Sequence, residues 1–235
     1  RVVASKKGER VLVDGDKMPG AQFFPDARLN FAENLLRRRD DTPAILFRAE
    51  DQIERKITWN ELYDETSRIA QALRALGVEA GDRVAGFVPN CPEAIIVMLA
   101  ASSIGAIWTS CSPDFGVQGV LDRFGQVKPK VLFTADGYHY NGKPQDSLEK
   151  IATALADLPS VQLTVVFPLL NEEPEINAVP NSVHWRHFTA AHNPENIDFA
   201  QLPFNHPLYI LYSSGTTGAP KCIVHGAGGT LLQHL

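Results

Sequence analysis

Nine consecutive residues carry a pattern suited to gripping phosphate: Ser213-Ser214-Gly215-Thr216-Thr217-Gly218-Ala219-Pro220-Lys221. Gly215 and Gly218 let the backbone turn its N–H groups toward an anion without side-chain obstruction. The hydroxyls of Ser213, Ser214, Thr216 and Thr217 add donors, and a hydrogen bond to a charged group contributes roughly 1.5–3 kcal/mol. Lys221 supplies a mobile positive charge that follows phosphate oxygens as charge shifts between them. The apolar run Leu208-Tyr209-Ile210-Leu211-Tyr212 leads directly into this loop and predicts a strand. A strand-to-loop junction at the carboxyl edge of a parallel sheet is where such folds bind ligands. A polar turn between two strands is the plain alternative, because Gly, Ser and Thr are common turn residues. Hydroxyls, spaced glycines, proline and lysine in succession favour the phosphate loop.

The loop is not a Walker P-loop. That motif places Gly immediately before its Lys and Ser or Thr immediately after, whereas Pro220 and Cys222 occupy those places here. Gly226-Ala227-Gly228-Gly229 lacks the third-glycine spacing of a dinucleotide fingerprint. His225 is placed either to reach phosphates or to serve as a structural hydrogen-bonding residue near a strand end. His184 and His187 flank Trp185-Arg186 with no third ligand nearby, so no metal site is expected there. Cys111 and Cys222 have no sequence neighbour that would lower a thiol pKa, and they are expected to be small buried residues rather than nucleophiles.

The elements that must position the loop alternate. A turn-rich arm over residues 1–25 is expected to lie against another surface, followed by a short helix with Leu29, Ala32, Leu35 and Leu36 on one stripe. Residues 44–47 and 56–58 are strand-like. Thr58 with Glu61 three residues later forms a capping box for a helix ending at Gly77, with Leu62, Ile69, Leu73 and Leu76 at helical spacing. Strands at 83–88, 106–110, 130–134 and 163–167 are separated by helices at 92–104, 117–124 and 147–158. The Pro-, Asn- and Glu-rich stretch 171–205 predicts mainly surface loop. This alternation predicts an α/β fold with a mostly parallel sheet flanked by helices.

The net charge of −5 and the absence of a clustered basic face argue against a nucleic-acid partner. Arg37-Arg38-Arg39 is the longest basic run, and it is expected at a solvated helix end where cations suit the dipole. Three cysteines without a CxxC pair suit a reducing compartment. The apolar stretch from Ala94 is interrupted by Ser102, Ser103 and Gly105, too short to span a bilayer, and no signal-peptide pattern precedes it. No membrane partner and a cytoplasmic location are therefore expected. The start at Arg1 and the uncapped apolar run up to Leu235 predict a piece of a longer chain.

At residues 213–221 the sequence resembles the adenylate-forming superfamily of acyl-CoA synthetases, luciferases and peptide-synthetase adenylation domains. The resemblance covers nearly the whole chain. Leu29-Asn30-Phe31-Ala32-Glu33-Asn34-Leu35-Leu36 is similar to the lead-in segment of the acetyl-CoA synthetase branch, and Thr58-Trp59-Asn60-Glu61-Leu62 and Gly81-Asp82-Arg83-Val84 to its early helix and strand. The run Pro220 to His234 most resembles the members that activate acetoacetate. Phe23 and Asp26 depart from the branch, whose members often carry Trp and Gly at those places.

The resemblance implies an acid–thiol ligase that uses ATP, Mg²⁺ and CoA to convert acetoacetate through acetoacetyl-AMP to acetoacetyl-CoA. Ser213, Ser214, Thr216 and Thr217 would donate hydroxyl groups, Gly215 and Gly218 would give backbone access, and Lys221 would act catalytically. Residues 1–40 would form an arm and helix, and 41–235 an AMP-binding domain incomplete at its end. Tyr138 to Lys143 would lie where relatives place basic residues that touch the CoA nucleotide, although a solvated Lys143 is the plainer expectation. The adenine site, acyl pocket and second lysine would lie beyond Leu235, leaving this piece inactive alone. A ligase for acetate, propionate or butyrate, and a truncated nucleotide-binding domain without catalysis, remain as alternatives. The oligomeric state is not implied.

Overall fold

The computed structural model describes the chain except for residues 51, 52, 214–217 and 235. The N-terminal region contributes the short strands β1 (Leu12–Val13), β2 (Gln22–Phe23) and β3 (Arg28–Leu29), then helix α1 (Phe31–Leu35). The hairpin β4 (Pro43–Ala49) and β5 (Ile53–Thr58) leads into α2 (Trp59–Ala75). There follow β6 (Arg83–Phe87), α3 (Pro92–Ser103), β7 (Ile107–Cys111), α4 (Val117–Val127) and β8 (Val131–Ala135). A second hairpin, β9 (Gly137–Tyr140) and β10 (Lys143–Asp146), precedes α5 (Leu148–Leu155) and β11 (Leu163–Phe167). The chain continues through β12 (Ser182–His184), α6 (Trp185–Ala190), β13 (Leu202–Pro203), β14 (Pro207–Tyr212), β15 (Cys222–Gly226) and α7 (Ala227–Gln233).

Seven strands form the central sheet in the order β12-β11-β8-β6-β7-β14-β15. Every neighbouring pair is parallel except β14 with β15. The predicted α/β class with a mostly parallel, helix-flanked sheet is what the chain forms. Alternation along each strand sends side chains to two separate cores. Val84, Val131, Phe133 and Val165 join the core under α1, α2, α3, α6 and α7. Ala85, Phe87, Leu132 and Val166 join the core under α4 and α5. With both faces covered, the strands carry near-continuous apolar runs.

The start of α2 follows from its sequence. Thr58 Oγ1 accepts the Glu61 N–H at 3.2 Å while Glu61 Oε2 accepts the Thr58 N–H at 2.8 Å, satisfying two donors that a helix start leaves open. Leu62, Ile69 and Leu73 then fall on its buried stripe. Helix α3 is apolar nearly all round because it is packed between α1, α2 and the sheet.

The folded chain adds short elements and specific contacts to the parts with least periodicity. Residues 171–205 contain β12 and α6, which complete the sheet edge and cover it. Trp185 sets its ring edge-on to Phe133 and Phe167, with centroids 6.1 and 6.0 Å away, so tertiary packing stabilises elements too short to show periodicity. The arginine run is exposed and directly follows the end of α1, as expected of a solvated helix end. Helix α1 stops at Leu35, Arg37 Nε donates to the Asn34 carbonyl at 2.8 Å, and the Arg39 guanidinium lies 3.3 Å from the Tyr63 ring centre. The N-terminal arm is fastened to that helix. Val3 N–H donates to Asn34 Oδ1 at 2.7 Å and Asn34 Nδ2 to the Val3 carbonyl at 2.8 Å.

Candidate functional site

The predicted phosphate loop leaves the carboxyl end of β14, which pairs in parallel with β7. Thr109 of β7 fixes that end: its Oγ1 donates to the Ile210 carbonyl at 2.9 Å and lies 2.7 Å from the Tyr212 hydroxyl. Burial pushes the Tyr212 phenol far above its ordinary range, so it stays neutral. Ser213 follows, and its N–H donates to the Lys221 carbonyl at 3.1 Å, with the Lys221 N–H reaching Ser213 Oγ at 3.4 Å. The two ends of the loop therefore close on each other as β14 turns into antiparallel β15.

Ser214, Gly215, Thr216 and Thr217 lie outside the described residues. Gly218 has φ +93°, a left-handed backbone that glycine adopts without the steric cost other residues meet, while a Cβ there would find open space. Its identity is thus required by conformation rather than by crowding. Pro220 is buried and Lys221 exposed. The loop turns an apolar residue inward and presents a cation to solvent at the carboxyl edge of the sheet.

Helix α4 backs both flanks of the loop. The Arg123 guanidinium, 8% exposed, donates to the Gly119 carbonyl at 2.8 Å and lies 3.8 and 5.7 Å from the Phe115 and Tyr212 ring centres. Gln126 Nε2 donates to the Pro220 carbonyl at 2.9 Å.

A second feature stands beside the loop. After β6 the chain passes to α3 on one face, and after neighbouring β7 it passes to α4 on the other. Adjacent parallel strands whose connections leave to opposite faces open a crevice at their carboxyl ends, the usual ligand position in open α/β sheets. A cavity of about 470 Å³ lies there, lined by Asn90, Ser110, Ser112, Asp114, Tyr138 and Tyr140 among others. One wall is tied shut: the Tyr138 hydroxyl donates to Asp114 Oδ1 at 2.6 Å, and Ser112 Oγ to Asp114 Oδ2 at 2.7 Å. These bonds hold the Asp114 carboxyl below its usual range, while burial and the adjacent carboxylate push Tyr138 up to about 12.

The hairpin carrying Tyr138 also carries Lys143. Its tip residues Asn141 and Gly142 have φ +51° and +72°, the handedness that matches strand twist in two-residue turns. Glu50 reaches across from the β4–β5 turn and accepts both tip N–H groups at 2.8 Å, which lowers its own carboxyl pKa. Asn141-Gly142 is the sequence signal that could have marked this two-residue turn, which the strand and helix periods did not.

The remaining candidates have other surroundings. His225 lies in β15 opposite Tyr209, their ring centres 5.2 Å apart. His184 and His187 stand edge to face at 5.6 Å. Among the described residues, no three His, Cys, Asp or Glu side chains are placed to hold a metal ion. Cys91 and Cys111 are buried, and burial pushes both thiols up to about 12, leaving them protonated and poor nucleophiles. Cys222 is half-buried, with its thiol also raised by burial. No helix among the described residues is long and apolar enough to cross a membrane.

With this geometry in view, known proteins give a consistent comparison. The acetoacetyl-coenzyme A synthetase of Rhizobium meliloti (strain 1021) is 54% identical over 234 residues, which are 99% of this chain and 36% of that protein. The acetoacetyl-CoA synthetase of Gallus gallus is 48% identical over 221 residues, 91% of this chain and 33% of that one. The solved structure of acetoacetyl-CoA synthetase from Streptomyces lividans superposes with a TM-score of 0.91 at 46% identity, covering 99% of this chain and 35% of its own. The chain thus spans about a third of the length of the relatives it matches. The AMP-binding enzyme family matches residues 31–234, and the chain belongs to that family.

Proposed function

We propose that the whole protein is an acid–thiol ligase that makes acetoacetyl-CoA from acetoacetate, ATP and CoA, releasing AMP and pyrophosphate. The observation that carries this proposal is the 54% identity to an acetoacetyl-CoA synthetase, sustained over 234 residues that include the loop. In the first step an acetoacetate oxygen bonds to the α-phosphorus of ATP as the bond from that phosphorus to pyrophosphate breaks. In the second step the CoA sulfur bonds to the acyl carbon as the bond to AMP oxygen breaks, and the thiol proton is lost. The chain's contribution to the first step is positioning and charge stabilisation. Ser213, Ser214, Thr216 and Thr217 donate to the phosphates, Gly215 and Gly218 admit them to the backbone, and Lys221 meets the charge growing on pyrophosphate. Mg²⁺ commonly binds through one or two carboxylates together with substrate phosphates. The described residues offer no cluster for it, and no step is assigned to it.

The acid is tested by comparing kcat/KM for acetoacetate, acetate, propionate and butyrate with the whole protein. Acetoacetate leads acetate by at least about tenfold if its extra carbons and carbonyl are recognised. Equal or better use of acetate overturns the acid assignment and leaves a short-chain ligase.

A further inference from the structure

Helix α4 touches the loop by a route that no motif in the sequence marks. Gln126 occupies its last turn, and its amide nitrogen donates both to the Asp122 carbonyl on the same helix, at 2.5 Å, and to the Pro220 carbonyl, at 2.9 Å. Pro220 lacks an N–H, is buried, and directly precedes Lys221. Three residues earlier on the same helix, Arg123 is buried beneath the Tyr212 ring, and Tyr212 directly precedes Ser213. One helix therefore holds the residue before the first loop residue and the residue before the last. A proline has one freely rotating backbone dihedral, so fixing its carbonyl fixes the peptide plane from which Lys221 departs. Among the described residues, the Lys221 backbone is otherwise bonded to Ser213, by one backbone bond at 3.1 Å and a long bond to Ser213 Oγ at 3.4 Å. Gln126 is itself solvent-exposed and outside both cores, which separates its role from packing.

We propose that Gln126 is a positioning residue for adenylation, holding the Pro220–Lys221 peptide so that the lysine ammonium meets the departing pyrophosphate. This rests on the assignment of the loop to the phosphates of ATP. A bond that pre-organises a charge acts where the charge is used, so its loss slows the step that releases pyrophosphate and spares the step that follows.

The test compares Gln126→Met, which keeps the side-chain length and removes the donor, with Gln126→Glu, Gln118→Met and Lys221→Ala in the whole protein. Gln118 donates to the Asp122 carboxylate on the same helix and, among the described residues, has no bond to the loop. Acid-dependent exchange of pyrophosphate into ATP and thioester formation from preformed acyl-AMP are measured separately, with Tm for each variant. Both Gln126 variants are expected to slow exchange about three- to tenfold, the scale of one net hydrogen bond, with thioester formation within about twofold and Tm unchanged. Gln118→Met is expected to leave both half-reactions unchanged. Slow exchange in Lys221→Ala with normal exchange in both Gln126 variants overturns the role of Gln126 alone. Equal losses in both half-reactions, or the same loss in Gln118→Met, make the effect a general one of helix α4 and also overturn it. Normal exchange in Lys221→Ala overturns the loop assignment itself.

Discussion

Lys221→Ala in the whole protein is expected to slow acyl-AMP formation by about 10²–10³-fold, the usual cost of removing one group that stabilises transition-state charge. Lys221 is exposed at the carboxyl edge of the sheet, at the end of a loop whose flanks are tied together by the Ser213–Lys221 backbone bond. Its ammonium is proposed to interact more strongly with pyrophosphate as that group leaves than with bound ATP. Such an interaction lowers kcat and kcat/KM together when removed. Thioester formation from preformed acyl-AMP should be nearly unaffected, because pyrophosphate has already gone. Separate assays of the two half-reactions decide the matter. Adenylation retained within about threefold, under 1 kcal/mol, would remove Lys221 from the mechanism.

Asp136→Ala is expected to be the most destabilising single change near the sheet's carboxyl edge, costing about 3–5 kcal/mol. Asp136 is 2% exposed at the end of β8. Its Oδ1 accepts the N–H groups of Leu169 and Leu170 at 2.7 and 2.9 Å, and its Oδ2 accepts the backbone and side-chain N–H groups of Asn171, both at 2.9 Å. One carboxylate thus organises the turn after β11, and its removal strands several donors at once. Asp136→Asn retains one accepting oxygen and sets an NH₂ against N–H donors, so it should be nearly as damaging. Denaturant midpoints at unchanged m-value measure both variants. A loss below about 1 kcal/mol for Asp136→Ala would mean that water replaces the carboxylate without cost.

The alternating strands and long helices were legible because each shows its period over enough residues. The capping box at Thr58 and Glu61 even marked the first residue of α2. Within the mainly loop stretch 171–205, β12 and α6 were not legible, because they are held by Trp185 and Phe188 against Phe133 and Phe167 rather than by any local pattern. Strand β15 was missed for a related reason: it follows the loop at once, and Ile223 and Val224 are half-exposed on an edge strand. The loop itself was visible as a motif. Its supports were not, since Gln126 and Thr109 lie about a hundred residues away along the chain and only the fold brings them to Pro220 and Tyr212. The crevice between β6 and β7 depends on strand order, which alternation does not specify.

Acid-dependent exchange of labelled pyrophosphate into ATP, with CoA omitted, tests the central claim most directly. It reports formation and reversal of acyl-AMP and nothing later. With the whole protein, ATP, Mg²⁺ and acetoacetate, label should enter ATP, and none should enter without an acid. No exchange with any of the four acids, while ATP still binds, would contradict adenylate formation and leave a nucleotide-binding domain without catalysis.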